Sequence, residues 1–174
     1  MSECQFELLL QGTEQQLVNL MTTQPAALNQ SLFKSSSYFQ STVSKEVRQC
    51  VVNTRVRVYR NLNKPEYYSI KAMDGEHKGK VVGYAKSVVL KNVKFIVGEK
   101  SRLTVVKNQR RNVHAYCEGI IVDALDVVQT LSGYRHVVTY NPFKHATFFV
   151  RETKASFTAQ CEKVVLQGAD VYVY

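Results

Sequence analysis

The sequence predicts an α+β protein, with one or two N-terminal helices followed by a mostly antiparallel β domain built as a sandwich or a partly open barrel. Three observations carry that expectation. In the first part of the chain apolar residues recur at mixed three- and four-residue steps, the spacing of a helix face. From Cys50 onward the texture changes to short β-branched runs separated by turn signals, the pattern of an all-β unit. A 174-residue chain with 45% hydrophobic residues has enough apolar mass for a real core and too much for a disordered chain.

The elements follow in order. Phe6, Leu9, Leu10, Leu17, Leu20 and Met21 place a first helix over 5–22, weakened in the middle by Gly12. Pro25 suits the first position of a second helix carrying Ala26, Ala27, Leu28, Leu32 and Phe33. The Ser/Thr-rich stretch 35–44 reads as a linker, so the expected division is an appendage over 1–47 and a basic β domain over 48–174. Val56 and Val58 alternate with Arg55, Arg57 and Tyr59 on a strand. A turn with Pro65 leads to a second strand, EYYSIKA, and Asp74-Gly75 and Gly79 turn the chain again. Residues 80–97 are β-branched and long enough for two strands or one bent strand, with Gly83 marking a bulge or bend. Gly98-Glu99-Lys100 turns the chain into SRLTVV, and KNQRRN forms a basic loop before NVHAYCEGIIV. Residues 123–131 look helical, with a strand as the alternative, and HVVTY, TFFVRE, ASFTA, KVVL and VYVY complete the strands.

Composition excludes several classes. No apolar run approaches the ~18–20 residues that cross a bilayer, so no membrane partner is expected. The opening MSECQFELLLQGTEQQ lacks the basic and long apolar regions of an export signal, so a cytoplasmic setting with reduced thiols is expected. Cys4, Cys50, Cys117 and Cys161 are widely spaced, and none forms a C-x-x-C pair. His114 and Cys117 stand three apart and face opposite sides of a strand, so no metal and no cofactor is expected.

Charge is concentrated. Residues 44–117 carry seventeen Lys/Arg against five acids, whereas 1–43 and 118–174 are nearly neutral, within a chain of net charge +9. Such asymmetry points to a polyanionic partner, nucleic acid or an acidic protein surface, although a solvated lysine-rich face would give the same count. Arg55, Arg57, Tyr59, Arg60, Tyr84, Lys91, Lys94, Lys107, Arg110 and Arg111 are the candidate contacts. On a sheet face the cations would follow phosphates while the rings stack on bases. The same tyrosines could instead form the rim of a core. Strict alternation puts Lys91 with Val93 and Lys94 with Leu90, on opposite faces.

A second constellation is Asn112, His114, Tyr116 and Glu118, which share one strand face beside Arg110 and Arg111. His114, Tyr116 and Glu118 could serve acid–base chemistry on a phosphodiester if His136, Lys144 or His145 supplied the second group. The plainer alternative is a histidine hydrogen-bonded on a half-buried face. Tyr140-Asn141-Pro142-Phe143 reads as a turn clamped to the core. No Gly-rich phosphate loop and no nucleophile or zinc-hydrolase motif occurs.

Val58-Tyr59-Arg60-Asn61-Leu62-Asn63, Tyr68-Ser69-Ile70, Gly79-Lys80-Val81-Val82-Gly83-Tyr84-Ala85, Asn112-Val113-His114-Ala115-Tyr116 and Tyr140-Asn141-Pro142-Phe143 carry a resemblance. Over roughly residues 55–150 the chain resembles a group of small uncharacterised proteins of phages and mobile elements. The resemblance implies a phage or mobile-element setting, hence the cytoplasm of a host, and implies no activity and no functional residue. The leading expectation is therefore a non-enzymatic nucleic-acid-binding protein. The alternatives are a structural or interaction protein, such as a virion component, a homo-oligomer or an inhibitor of a host protein, and a His114-dependent phosphodiesterase or ribonuclease. In the interaction reading, the terminal VYVY would pair edge to edge with a partner.

Overall fold

The computed structural model describes residues 50–174. The strands are β1 (Arg55–Arg60), β2 (Tyr68–Ala72), β3 (Val81–Ala85), β4 (Ser87–Val97), β5 (Ala115–Leu125), β6 (His136–Thr139), β7 (Phe149–Val150), β8 (Cys161–Gln167) and β9 (Asp170–Val173), with a helix α1 (Glu99–Asn108) between β4 and β5. They form one sheet in the order β3-β2-β1-β5-β4-β8-β9-β6-β7. Every pairing is antiparallel.

The α+β expectation is thereby corrected to a β-rich fold. The helices expected over 5–22 and from Pro25, and the boundary at residue 47, lie outside the described residues. Among the described residues α1 is the one α-helix, and it stands where a turn, SRLTVV and a basic loop were expected. Its β-branched Thr104, Val105 and Val106 hide it, and only Val105 is buried. Glu99 in its first turn and Lys107 in its last complement the helix dipole. The Gly98 N–H donates to His114 O at 2.6 Å, so the excursion is tied shut where β4 leaves and β5 enters. Residues 123–125 finish β5, and the segment after them is a loop, with Val127 and Val128 exposed, rather than a helix.

Alternation works as expected in β1 and holds in β2 except at Ser69. Val56, Val58, Tyr68 and Ile70 point inward while Arg55, Arg57, Tyr59 and Lys71 take the other side; Ser69 pairs with Tyr59 but is itself buried, its hydroxyl accepting from the Asn61 amide at 3.1 Å. Val82, Val88, Leu90, Val93, Cys117, Ile121, Val138, Val164, Leu166 and Val171 complete the same cluster. The strands form one continuous antiparallel sheet around this core. The Tyr68 hydroxyl, on β2, donates to Gly168 O at 2.9 Å in the β8–β9 turn, 100 residues away. Gly168 has a φ of 64°, which the two-residue β8–β9 turn requires. β9 lies between β8 and β6, so VYVY is an interior strand and not a free edge; β3 and β7 are the edges.

Bulges bend the long strands. Opposite β2 the register shifts beside Gly83, where the bend was expected. In β4 it shifts between Lys91 and Lys94, with Asn92 at a φ of 53°. Gly119 of β5 faces this bulge, and a Cβ there would stand 2.8 Å from Lys91 O. The bulge requires glycine at 119 because the two backbones approach too closely for any side chain.

Candidate functional site

The outer face of β2, β1, β5 and β4 gathers the charged residues. Register places Lys71, Arg57, Glu118 and Lys94 side by side across these strands. A parallel row runs Arg55, Ile120, Lys91 and Lys163, reaching β8. Neighbouring strands lie about 4.8 Å apart, so each row sets three cations close together, the first interrupted by Glu118 and the second by Ile120. Tyr84, Ser69 and Tyr59 form a row of their own. Tyr116 stands beside Ile96 on the same face.

The β4 bulge decides this arrangement. Leu90 and Val93 are both fully buried, and Lys91 and Lys94 are both exposed. The expectation that Lys91 and Lys94 face opposite ways is therefore overturned. The extra residue at the bulge changes the alternation and brings both lysines to one face.

Glu118 is the acid at the centre of the rows. Its side chain is 8% exposed and takes both Arg55 and Arg57, the latter at 3.3 Å. The Arg57 guanidinium also lies 4.1 Å from the centre of the Tyr116 ring. Tyr59 has its hydroxyl pKa raised, first by burial and then by Tyr84 nearby, with a bond from Ser69 opposing. Among the described residues no carboxylate pairs with Lys71, Lys91, Lys94 or Lys163; Lys91 donates to Asn53 Oδ1 at 3.3 Å and Lys163 lies 4.8 Å from the Tyr174 ring.

The other expected contacts lie elsewhere. Arg60 and Arg111 flank the β1–β2 turn, donating to Pro65 O at 3.4 Å and Leu62 O at 2.9 Å. Lys107 is exposed in the last turn of α1, and Arg110 is exposed between α1 and β5. The sequence reading missed Lys71 and Lys163. Lys71 was legible from the alternation of Tyr68, Ile70 and Ala72, whereas Lys163 joins the face only because β8 pairs with β4.

The acid–base constellation is dispersed. Glu118 is engaged by two arginines and Tyr116 by Arg57. His114 Nδ1 bonds Asn112 O at 2.6 Å, and its ring packs on Tyr140 at 5.3 Å. The candidate second groups stand apart: His136 packs on Phe157, His145 on Phe149, and Lys144 is exposed. The three described cysteines are unpaired and buried. Burial pushes Cys50 up to about 12 and raises Cys117 and Cys161 as well. Among the described residues no three His, Cys, Asp or Glu side chains come together as a metal site, and no helix is long and apolar enough to cross a membrane.

No solved structure matches the chain. The gene 82 protein of Mycobacterium phage L5 is 31% identical over 122 residues, which is 67% of this chain and 93% of that protein. The family described as Mycobacterium phage L5 gene 82 protein matches residues 41–174. The phage setting implied by the sequence resemblance is thus met, and the chain belongs to the Mycobacterium phage L5 gene 82 protein family.

Proposed function

We propose that the chain is a non-enzymatic nucleic-acid-binding protein that holds a single strand on the outer face of β2, β1, β5, β4 and β8. One observation carries the reading. The two rows gather Arg55, Arg57, Lys71, Lys91, Lys94 and Lys163 on one face, and the single acid among them, Glu118, is already taken by arginines. Lysines without a carboxylate partner attract phosphates, and the exposed parts of the tyrosine rings offer stacking surfaces.

The test is fluorescence anisotropy of a labelled single-stranded oligonucleotide across a salt series. Four lysine contacts give a slope of log affinity against log salt of about −3. A flat slope, or no binding at low salt, overturns the reading and favours the acidic protein surface, which would meet the same cations.

A further inference from the structure

A cavity of about 330 Å³ opens where β1, the segment before β5 and the β6–β7 connection meet. Its interior is apolar, lined by the buried Val58, Phe148, Leu166 and Val171. One wall is a ladder of rings: His114 against Tyr140 at 5.3 Å, and Tyr140 against Phe148 at 5.2 Å. The Tyr140 hydroxyl is buried and among the described residues has no hydrogen-bond partner, while the charges of Arg102 and Glu99 in α1 act on it from outside the cavity lining. Arg60 and Arg111 line the same cavity, are exposed, and are steadied by carbonyls of one turn. Among the described residues lining it there is no Asp and no Glu.

We propose that this cavity binds a small molecule with a flat aromatic body and one anionic group, the chemistry of a nucleoside monophosphate. The apolar interior and the ring ladder receive a flat ring, which prefers offset or edge contacts with aromatic neighbours. The orphaned Tyr140 hydroxyl is a buried polar atom that awaits a partner, and a ring nitrogen or carbonyl supplies one. Each guanidinium has five N–H donors and spends few of them on the turn, so the rest are free for a phosphate. Among the described lining residues no carboxylate opposes an anion, and Glu99, which acts on Tyr140 from α1, is paired with Arg102 at 3.7 Å. This inference stands on the cavity and is independent of the strand-binding reading of the sheet.

Isothermal titration with AMP and UMP tests it, with inorganic phosphate and octanoate as controls for a head without a ring and a tail without one. The expected result is one nucleotide per chain, with both controls at least about tenfold weaker. Tyr140→Phe should leave the unliganded melting temperature unchanged or higher while weakening AMP about fivefold or more. Arg111→Gln, at an exposed site, should weaken AMP about tenfold. Lys94→Gln should weaken oligonucleotide binding only, which separates failure of the cavity from failure of the sheet. No heat with either nucleotide at millimolar concentration, octanoate binding as tightly as AMP, or Tyr140→Phe binding AMP as wild type does would each overturn the proposal.

Discussion

Glu118 stands directly across from Arg57 in the register of β1 and β5, and its carboxylate takes that guanidinium at 3.3 Å while also holding Arg55. The pair is a central restraint of the outer face: a nearly buried acid keeps two arginines packed against the sheet. It stabilises the fold and withholds cationic charge from any polyanion.

Glu118→Gln should separate these effects. Losing the carboxylate should cost roughly 1–3 kcal/mol of stability, read by urea unfolding, since two arginines lose a charged partner. Oligonucleotide affinity should rise, and the salt slope should steepen by about 1 as the arginines become available. A variant that is less stable and also binds more weakly would contradict the second effect.

Lys91→Gln and Lys94→Gln should each make the salt slope shallower by about 0.7. Lys107→Gln and Arg110→Gln lie off the rows and should change it little. Equal losses from both pairs in anisotropy titrations would mean that overall charge, not the two rows, drives association.

Gly119→Ala should destabilise by roughly 1–3 kcal/mol, measured by chemical denaturation, because overpacking forces the strands to shift. The new methyl would meet Lys91 O at 2.8 Å and a Val93 methyl at 3.1 Å. A neutral result would show that the bulge yields easily.

Tyr68→Phe removes the hydroxyl that reaches from β2 to Gly168 O. The loss should be about 1 kcal/mol, the usual worth of such a bond, and thermal melting would register it.

Asp123 gives a pH dependence. Burial raises its pKa above the ordinary carboxylate value, while the Ala124 N–H, bonded at 2.8 Å, opposes the shift. A raised folded pKa means that Asp123 favours the fold when protonated, below its unfolded pKa, and that this contribution is lost as pH rises through the folded value. Asp123→Asn keeps an acceptor for Ala124, so it should be more stable than wild type near about pH 7, with the gap closing near about pH 3. A gap that widens on acidification would refute the sign.

The legible and illegible parts of the molecule divide along physical lines. Period-two alternation was enough to place β1 and its outward Arg55, Arg57 and Tyr59, because that strand buries one face and not the other, whereas β2 buries Tyr68, Ser69 and Ile70 in succession. Helix α1 was hidden because its Thr104, Val105 and Val106 resemble a strand, and its formation follows from closing the β4–β5 connection rather than from an apolar stripe. Sheet order depends on contacts distant in the chain, so neither Lys163 beside Lys91 nor the interior position of VYVY could be read locally. The cavity likewise needs Tyr140 and His114, 26 positions apart, to meet. The candidates at Lys107 and Arg110 rested on local charge density, which says nothing about direction.

The left-handed Asn92 is the extra residue that lets two lysines three positions apart share one face of β4. Point changes there leave the count of residues intact, and Asn or Gly tolerates that backbone readily. Losing Asn92 would leave Leu90, Lys91, Val93 and Lys94 in strict two-residue phase with both lysines still outward, and would remove the bulge that carries Lys91 O against Gly119. Relatives of this chain that carry a side chain at the position of Gly119 should therefore lack the extra residue in β4.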